Sequence, residues 1–128
     1  MKDSKPKATL GQAQRIRKRP EFLRIQESQW RVSTRHLSFL LDQGPDEAPA
    51  RLGIVASKKV GGAVERNRCK RLVREVFRLH QEAFPRGLEV VVIVRPGTHE
   101  LAFQELEAEV VGVRDMLLRR ARDLRHRR

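Results

Sequence analysis

The segment "ERNRCKRLVREVFR", Glu65–Arg78, contains six basic residues together with a regular set of apolar ones. At about 100° per residue, its apolar side chains fall within about 140° of a helical wheel. They are Cys69, Leu72, Val73, Val76 and Phe77. A stripe of this width is typical of a helix that packs one face against a core. The segment therefore predicts an amphipathic helix that ends near His80.

The opposite face of this helix is almost entirely basic, which packing against a core does not explain. It carries Asn67, Lys70, Arg71, Arg74 and Arg78, flanked by Arg66 and Arg68. Only Glu65 and Glu75 within the segment can pair with these cations, and like charges four residues apart repel each other. Because arginine forks match phosphate oxygens, we interpret this face as a surface that binds a polyanion.

The whole chain shares this excess of positive charge. With 28 Lys and Arg against 16 Asp and Glu in 128 residues, its formal net charge is +12. Such a charge indicates nucleic acid as the first candidate partner and an anionic membrane surface as the second. The single cysteine excludes an intramolecular disulfide, and no apolar run approaches the ~20 residues of a membrane span. We expect a cytoplasmic protein.

The residues before the basic helix predict one short helix and three strands. Pro20 suits the first turn of a helix. Residues 30–32 predict a short strand, and alternation over residues 37–41 predicts a longer one with one buried face. The turn-forming residues 44–50 then lead to an apolar strand at 51–57, so we expect an antiparallel hairpin here.

The residues after the basic helix predict a central strand and a final helix. Residues 88–96 are the most apolar and β-branched run in the chain. Thr98 is a suitable N-cap for the last helix. Its apolar stripe consists of Phe103, Leu106, Val110, Val113 and Leu117. Gly112 disfavours regular helix inside this stripe, and residues 120–128 read as a basic tail.

These elements predict a single small α+β domain, with helices packed on one mixed sheet of about four strands. The predicted order is α-β-β-β-α-β-α. The domain spans residues 15–119, between a disordered extension at 1–14 and the tail at 120–128.

The motif "SKKVGGAVERNRCKRLVREVFR", Ser57–Arg78, resembles the signature of the bacterial ribonuclease P protein subunit. At the family's spacing, this segment contains in order two lysines, a glycine connection, R-N-R, K-R and R-E-x-F-R. "RPEFLRI", "STRHLSFLL" and "VVVIVRPG" resemble its first helix, its cleft strand and the strand after the basic helix. The resemblance covers residues 15–119.

This resemblance implies a left-handed β-α-β crossover, although about 98% of such connections are right-handed. It also implies a division of labour within a ribonucleoprotein. An RNA subunit holds the catalytic Mg²⁺ ions and removes the 5′ leader of precursor tRNA by endonucleolytic hydrolysis. The protein binds that RNA and the leader, raises substrate affinity, holds no metal or catalytic residue of its own, and is monomeric within the particle.

The resemblance carries over to particular residues of this chain. The family's RNA-binding motif falls on Arg66, Asn67, Arg68, Lys70, Arg71 and Arg74, and the same positive surface includes Lys58, Lys59 and Arg78. Phe22 falls on an aromatic that lines the leader cleft. Phe39 lies on the cleft strand, where alternation can turn it inward and leave Leu40 facing the cleft. Gln26 departs from the pattern, because many members carry a second aromatic there.

Three other functions fit parts of the sequence less well. A general or ribosomal RNA-binding protein would share the basic helix but has no need of the ordered motif. A self-sufficient nuclease would need acidic residues that converge on a metal ion, whereas the acids here are scattered and the histidines lack metal-ligand spacing. A membrane-surface protein would need the apolar helix face that the core requires.

Overall fold

The computed structural model describes residues 14–44 and 48–126. Short 3₁₀ turns at Gln81–Ala83 and Thr98–Glu100 accompany the main elements. In chain order, the helices and strands are α1 (Arg19–Gln26), β1 (Arg31–Ser33), β2 (Leu37–Gln43), β3 (Arg51–Val55), α2 (Ala63–Leu79), β4 (Leu88–Val94), α3 (Phe103–Gly112) and α4 (Arg114–His126).

The four strands form one mixed sheet in the order β1-β2-β4-β3. β4 pairs antiparallel with β2 and parallel with β3, and α2 connects β3 to β4. The α+β class and the β-α-β unit are therefore confirmed. The predicted hairpin around residues 44–50 is wrong, because β4 lies between β2 and β3 and the antiparallel hairpin is formed by β1 and β2. As the most apolar strand, β4 takes an interior position where both of its edges are paired.

The sheet is covered on both faces. On the core face, defined by Leu37, Phe39 and Leu41, the strands pack with α2 and α4 in the main hydrophobic cluster. On the α1 face, Leu40 and Val91 pack with Ile25 of α1 in a smaller cluster. Residues 37–41 are consequently buried at every position and not on one face only, because α1 covers the second face.

Helix α2 buries the stripe that its periodicity predicts, Cys69, Leu72, Val73, Val76 and Phe77. Its first turn is capped by the Glu65 carboxylate, which accepts the Gly62 N–H at 2.9 Å. Burial raises the pKa of the Cys69 thiol, although the Arg68 guanidinium opposes this effect. Cys69 is therefore a small core residue, as predicted.

The C-terminal part of the chain differs from its prediction in two respects. The single predicted helix is divided at Val113 into α3 and α4, next to the helix-disfavouring Gly112. In addition, α4 continues to His126 with Ala121 and Leu124 buried, so residues 120–126 belong to the domain and are not a tail.

The boundaries of the last helices and of the N-terminal segment also differ from the prediction or lie outside it. Thr98 does not cap the last helix, because α3 begins after Ala102, whose N–H the Glu105 side chain accepts at 2.7 Å. The predicted extension at 1–14 lies outside the described residues, except for Gln14, which donates to the Ala50 carbonyl at 3.2 Å. Within the described residues, no helix is long and apolar enough to cross a membrane.

The two faces of α2 predict opposite consequences for neighbouring substitutions. Leu72→Asp should unfold the protein, because an unpaired buried charge costs several kcal/mol against a total stability of about 5–15 kcal/mol. Arg71→Ala should change stability by no more than about 0.5 kcal/mol, because the side chain is exposed. Thermal unfolding followed by circular dichroism measures both, and equal losses would show that the helix is rotated from the position described.

Candidate nucleic-acid interface

A cleft runs along the edge strand β3, between α1 and α2. One depression of about 380 Å³ lies between residues 15–17 and α2, where Lys70 and Arg74 line it. A second of about 400 Å³ lies between α1 and Val55. Arg17 and Phe22 line both depressions, so the two form one continuous cleft with the Phe22 side chain in the middle.

Phe22 lies directly on the backbone of β3. A Cβ atom at Gly53 would be 2.6 Å from Cε1 of the Phe22 ring and 3.1 Å from Cβ of Ile16. The ring is half-buried and packs on the small cluster beneath α1. Glycine at position 53 is therefore what allows the ring to approach the strand closely and remain partly exposed.

A network of ion pairs holds α1, and with it Phe22, over the sheet. Glu89 on β4 is only 2% exposed and accepts from Arg24 of α1 at 2.6 Å and from Arg51 of β3 at 2.9 Å. Arg51 also pairs with Glu21 of α1, which lowers the pKa of that carboxyl, and Arg24 also pairs with Asp42 of β2. Because buried charges are stable only when paired, this network ties α1 to three strands.

The cleft concentrates positive charge that is poorly compensated. Burial, and after it the neighbouring Arg15 guanidinium, lowers the pKa of Arg74. Nε of Arg15 is buried without a hydrogen-bond acceptor among the described residues. Backbone contacts hold Arg15 in place, since the Ile16 N–H donates to the Leu52 carbonyl at 2.9 Å and Arg15 bridges to β3. Two guanidiniums that line one depression favour an anion beside them.

The predicted basic residues of α2 divide into two groups. Arg66, Lys70 and Arg74 recur every four residues on one side of the helix, and the last two line the cleft. Asn67 and Arg71 are exposed on the outer face. Both groups are accessible to a ligand, but of these five residues only Lys70 and Arg74 line the Phe22 cleft.

Other predicted RNA-binding residues already have partners within the protein, or lie further away. Arg68 donates to the carbonyls of His99 and Leu101 at 2.7 and 3.2 Å, which ties α2 to the turn before α3. Arg78 pairs with Glu75 through both ends of its guanidinium, which raises its pKa. Lys58 and Lys59 are exposed in the loop between β3 and α2.

The predicted cleft residues of β2 require correction. Phe39 is 2% exposed and lies on the core face, where its ring centroid is 6.1 Å from that of Phe84. Leu40 does lie on the α1 face, as alternation allows, but it is also only 2% exposed because Ile25 packs over it. Neither side chain lines the cleft, which is displaced towards β3.

Sequence reasoning missed the contributions of Arg15, Arg17 and Gly53 to the cleft. The cation-rich run "RIRKR", residues 15–19, was a signal for the two arginines, but their position in the cleft depends on tertiary structure. Gly53 interrupts a strand, which often marks a close approach of another group. Across the described residues, no group of three or more His, Cys, Asp and Glu side chains could hold a metal ion.

Comparison with known proteins agrees with this architecture. Residues 10–120 match the model of the protein family described as Ribonuclease P. The ribonuclease P protein component of Syntrophus aciditrophicus is 36% identical over 104 residues, covering 81% of this chain and 87% of that protein. That of Dictyoglomus thermophilum is 38% identical over 108 residues, covering 83% of each.

Solved structures lead to the same family. The RNase P protein of Staphylococcus aureus superposes with a TM-score of 0.71 at 29% identity, covering 82% of this chain and 95% of that one. The RNase P protein of Thermotoga maritima superposes with a TM-score of 0.67 at 32% identity, covering 77% and 93%. Sequence, fold and basic helix agree, and the chain therefore belongs to the ribonuclease P protein component family, part of the enzyme that processes the 5′ end of tRNA.

Proposed function

We propose that this chain binds RNA as a monomer within the ribonucleoprotein. The RNA subunit of the particle carries the hydrolytic chemistry. The protein holds the 5′ leader of precursor tRNA in the cleft beside Phe22. It binds the RNA subunit through the outer face of α2, where Asn67 and Arg71 are exposed. Arg66, at the start of the cleft-side row, lies between the two ligands.

The observation that carries this proposal is that Arg15, Arg74 and Phe22 line one depression. Phosphates of a single strand fit the two guanidiniums, and an unstacked base fits the exposed part of the ring. The combination of a positive groove with an aromatic platform is typical of proteins that bind single strands without reading every base. Lys70 lines the same depression and extends the path of the backbone along α2.

We further propose that Mg²⁺ is held mainly by the RNA. A protein site for Mg²⁺ would need carboxylate oxygens free to face the ion and its water ligands. The carboxylates near α1 do not fit such a site, because Glu21, Asp42 and Glu89 are engaged by Arg24 and Arg51. The positive charge of the cleft also disfavours a cation.

Reconstitution tests the division of labour. The nuclease-free protein alone should leave precursor tRNA intact, and the RNA subunit alone should need high Mg²⁺ concentration. Together they should remove the leader at low Mg²⁺ concentration, because the protein supplies positive charge to the substrate complex. Cleavage by the protein alone, measured on gels with end-labelled substrate, would overturn the proposal.

The cleft cations should contribute to affinity through counterion release. Arg15→Ala and Arg74→Ala should each weaken binding of precursor tRNA to the assembled enzyme by about tenfold at low salt. Each should also make the plot of log affinity against log salt shallower by about 0.7. Arg35→Ala, at an exposed arginine in the β1–β2 turn, is the matched control. An unchanged slope for both cleft variants would show that Arg15 and Arg74 do not contact phosphates of the substrate.

The contact between Phe22 and Gly53 predicts a selective effect on the leader. Phe22→Ala should lower affinity for precursor tRNA by about 1–3 kcal/mol, with the salt slope nearly unchanged, and leave affinity for mature tRNA intact. Gly53→Ala should have a similar effect, because the added Cβ displaces the ring. In the Phe22→Ala background, Gly53→Ala should lower the affinity little further. Fluorescence binding titrations of the wild type, both single variants and the double variant measure this double-mutant cycle.

Three outcomes of this cycle are informative. Strong coupling between the two substitutions, seen only with the leader present, supports the cleft. Additive effects would show that Gly53 does not act through the ring. A lower melting temperature with equal losses for precursor and mature tRNA would identify Phe22 as a core residue only.

A further inference from the structure

A second basic surface lies on α4, away from the cleft. Arg119, Arg122 and Arg125 are exposed and recur every three residues. Among the described residues, the one ion pair of α4 is between Arg114 and Glu82, at 3.9 Å, so no carboxylate lies within 4 Å of these three guanidiniums. Within the part of the chain that the structure describes, the three arginines therefore form a row without a salt-bridge partner.

The row borders a groove with an apolar floor. The groove, of about 140 Å³, lies between α4 and the segment before β4, with Pro85, Leu88, Leu118 and Ala121 in its lining. Arg86, Arg122 and Arg125 also line it. Arg125 donates to the Arg86 carbonyl at 3.1 Å, which holds that guanidinium at the groove. Cations beside an apolar surface suit a ligand with both phosphates and flat rings.

Helix electrostatics explain only part of this row. Cations near the C-terminus of a helix are stabilised by its macrodipole, but the effect falls off within the last turn. Arg125 lies in that turn, whereas Arg119 and Arg122 precede it. Like charges three residues apart repel each other, so the row is unfavourable without an external anion.

The position of the row separates it from the leader. α4 packs on β1 and β2 and contributes Leu117, Ala121 and Leu124 to the core face of the sheet. The Phe22 cleft lies on the α1 face and along the edge of β3, at the other side of the sheet. A strand held in the cleft cannot also occupy the groove under α4 without passing around the domain.

We propose that the row of Arg119, Arg122 and Arg125, with the groove beside it, binds the RNA subunit of the ribonucleoprotein at a site separate from α2. Backbone phosphates of that RNA contact the guanidiniums, and the face of a base or ribose rests on Leu118 and Ala121. The RNA subunit is the occupant because it is the large polyanion of the particle and the leader is assigned to the opposite face. This contact goes beyond the function proposed for α2 and the cleft.

A triple variant tests the row, Arg119→Gln with Arg122→Gln and Arg125→Gln. Its affinity for the RNA subunit alone should fall at low salt, and the log–log salt slope should become shallower by about 2 to 3 units. Affinity of the assembled enzyme for precursor tRNA, at protein concentrations that saturate the RNA subunit, should stay unchanged. The matched triple Lys variant retains the charges and should retain most of the slope.

A chemical probe provides a readout that does not depend on affinity. Cys69 is fully buried, so Arg122→Cys or Arg71→Cys supplies one accessible thiol for a tethered cleavage reagent. From position 122 the reagent should cut the RNA subunit at nucleotides different from those cut from position 71. The two positions also test the two proposals separately, because cleavage from position 71 reports on the α2 contact and cleavage from position 122 reports on the α4 contact.

Other results would overturn the proposal. An unchanged salt slope in the triple Gln variant would show that the row is only a solvated surface. A loss restricted to precursor tRNA would make the substrate the occupant. Absence of RNA cleavage from position 122, in a particle where position 71 gives cleavage, would place α4 away from the RNA subunit.

Discussion

The buried carboxylate of Glu89 is the constraint on which the cleft depends. It lies on the central strand β4, where a charge without a partner would be strongly unfavourable. Arg24 and Arg51 each pair with one of its oxygens, and each of them binds one further carboxylate. Because Arg24 belongs to α1, the helix is fixed over β4 and β2 and leaves the edge of β3 open. The cleft is the part of the α1 face that this arrangement does not cover.

The sheet separates packing from binding. Its core face buries large apolar side chains of α2 and α4, which provides most of the hydrophobic stabilisation. The α1 face buries few, so part of Phe22 can remain exposed there and Gly53 can bring the ring close to the backbone. The same helix, α2, serves both sides, because its apolar stripe completes the core while Lys70 and Arg74 reach the cleft around the edge strand.

Local patterns predicted most of the elements, and long-range contacts decided what those patterns left open. The stripe of α2 was correct in every member, because helical periodicity is set by residues close in sequence. The predicted hairpin of β2 and β3 was not correct, since β4 separates the two strands and pairing between distant segments leaves no local pattern. The end of α4 was obscured because arginines surround Ala121 and Leu124, whose burial depends on contact with the sheet. Arg15 lies in the cleft beside α2 because its backbone pairs with β3, and this long-range contact has no local pattern.

The distribution of the two charge signs connects these observations. Several carboxylates lie at joints between elements. Glu89 joins α1 to the sheet, Glu109 accepts from Thr34 of the β1–β2 turn at 2.7 Å, and Glu107 lies 2.7 Å from Nε2 of His80 beyond α2. Each of these carboxylates neutralises or orients a partner inside the fold and is not available to the surface cations. The excess of arginine therefore accumulates on the cleft, α2 and α4, where an external polyanion would relieve the mutual repulsion. The acids determine how the domain is assembled, and the arginines that they leave unpaired form the surfaces proposed to bind RNA.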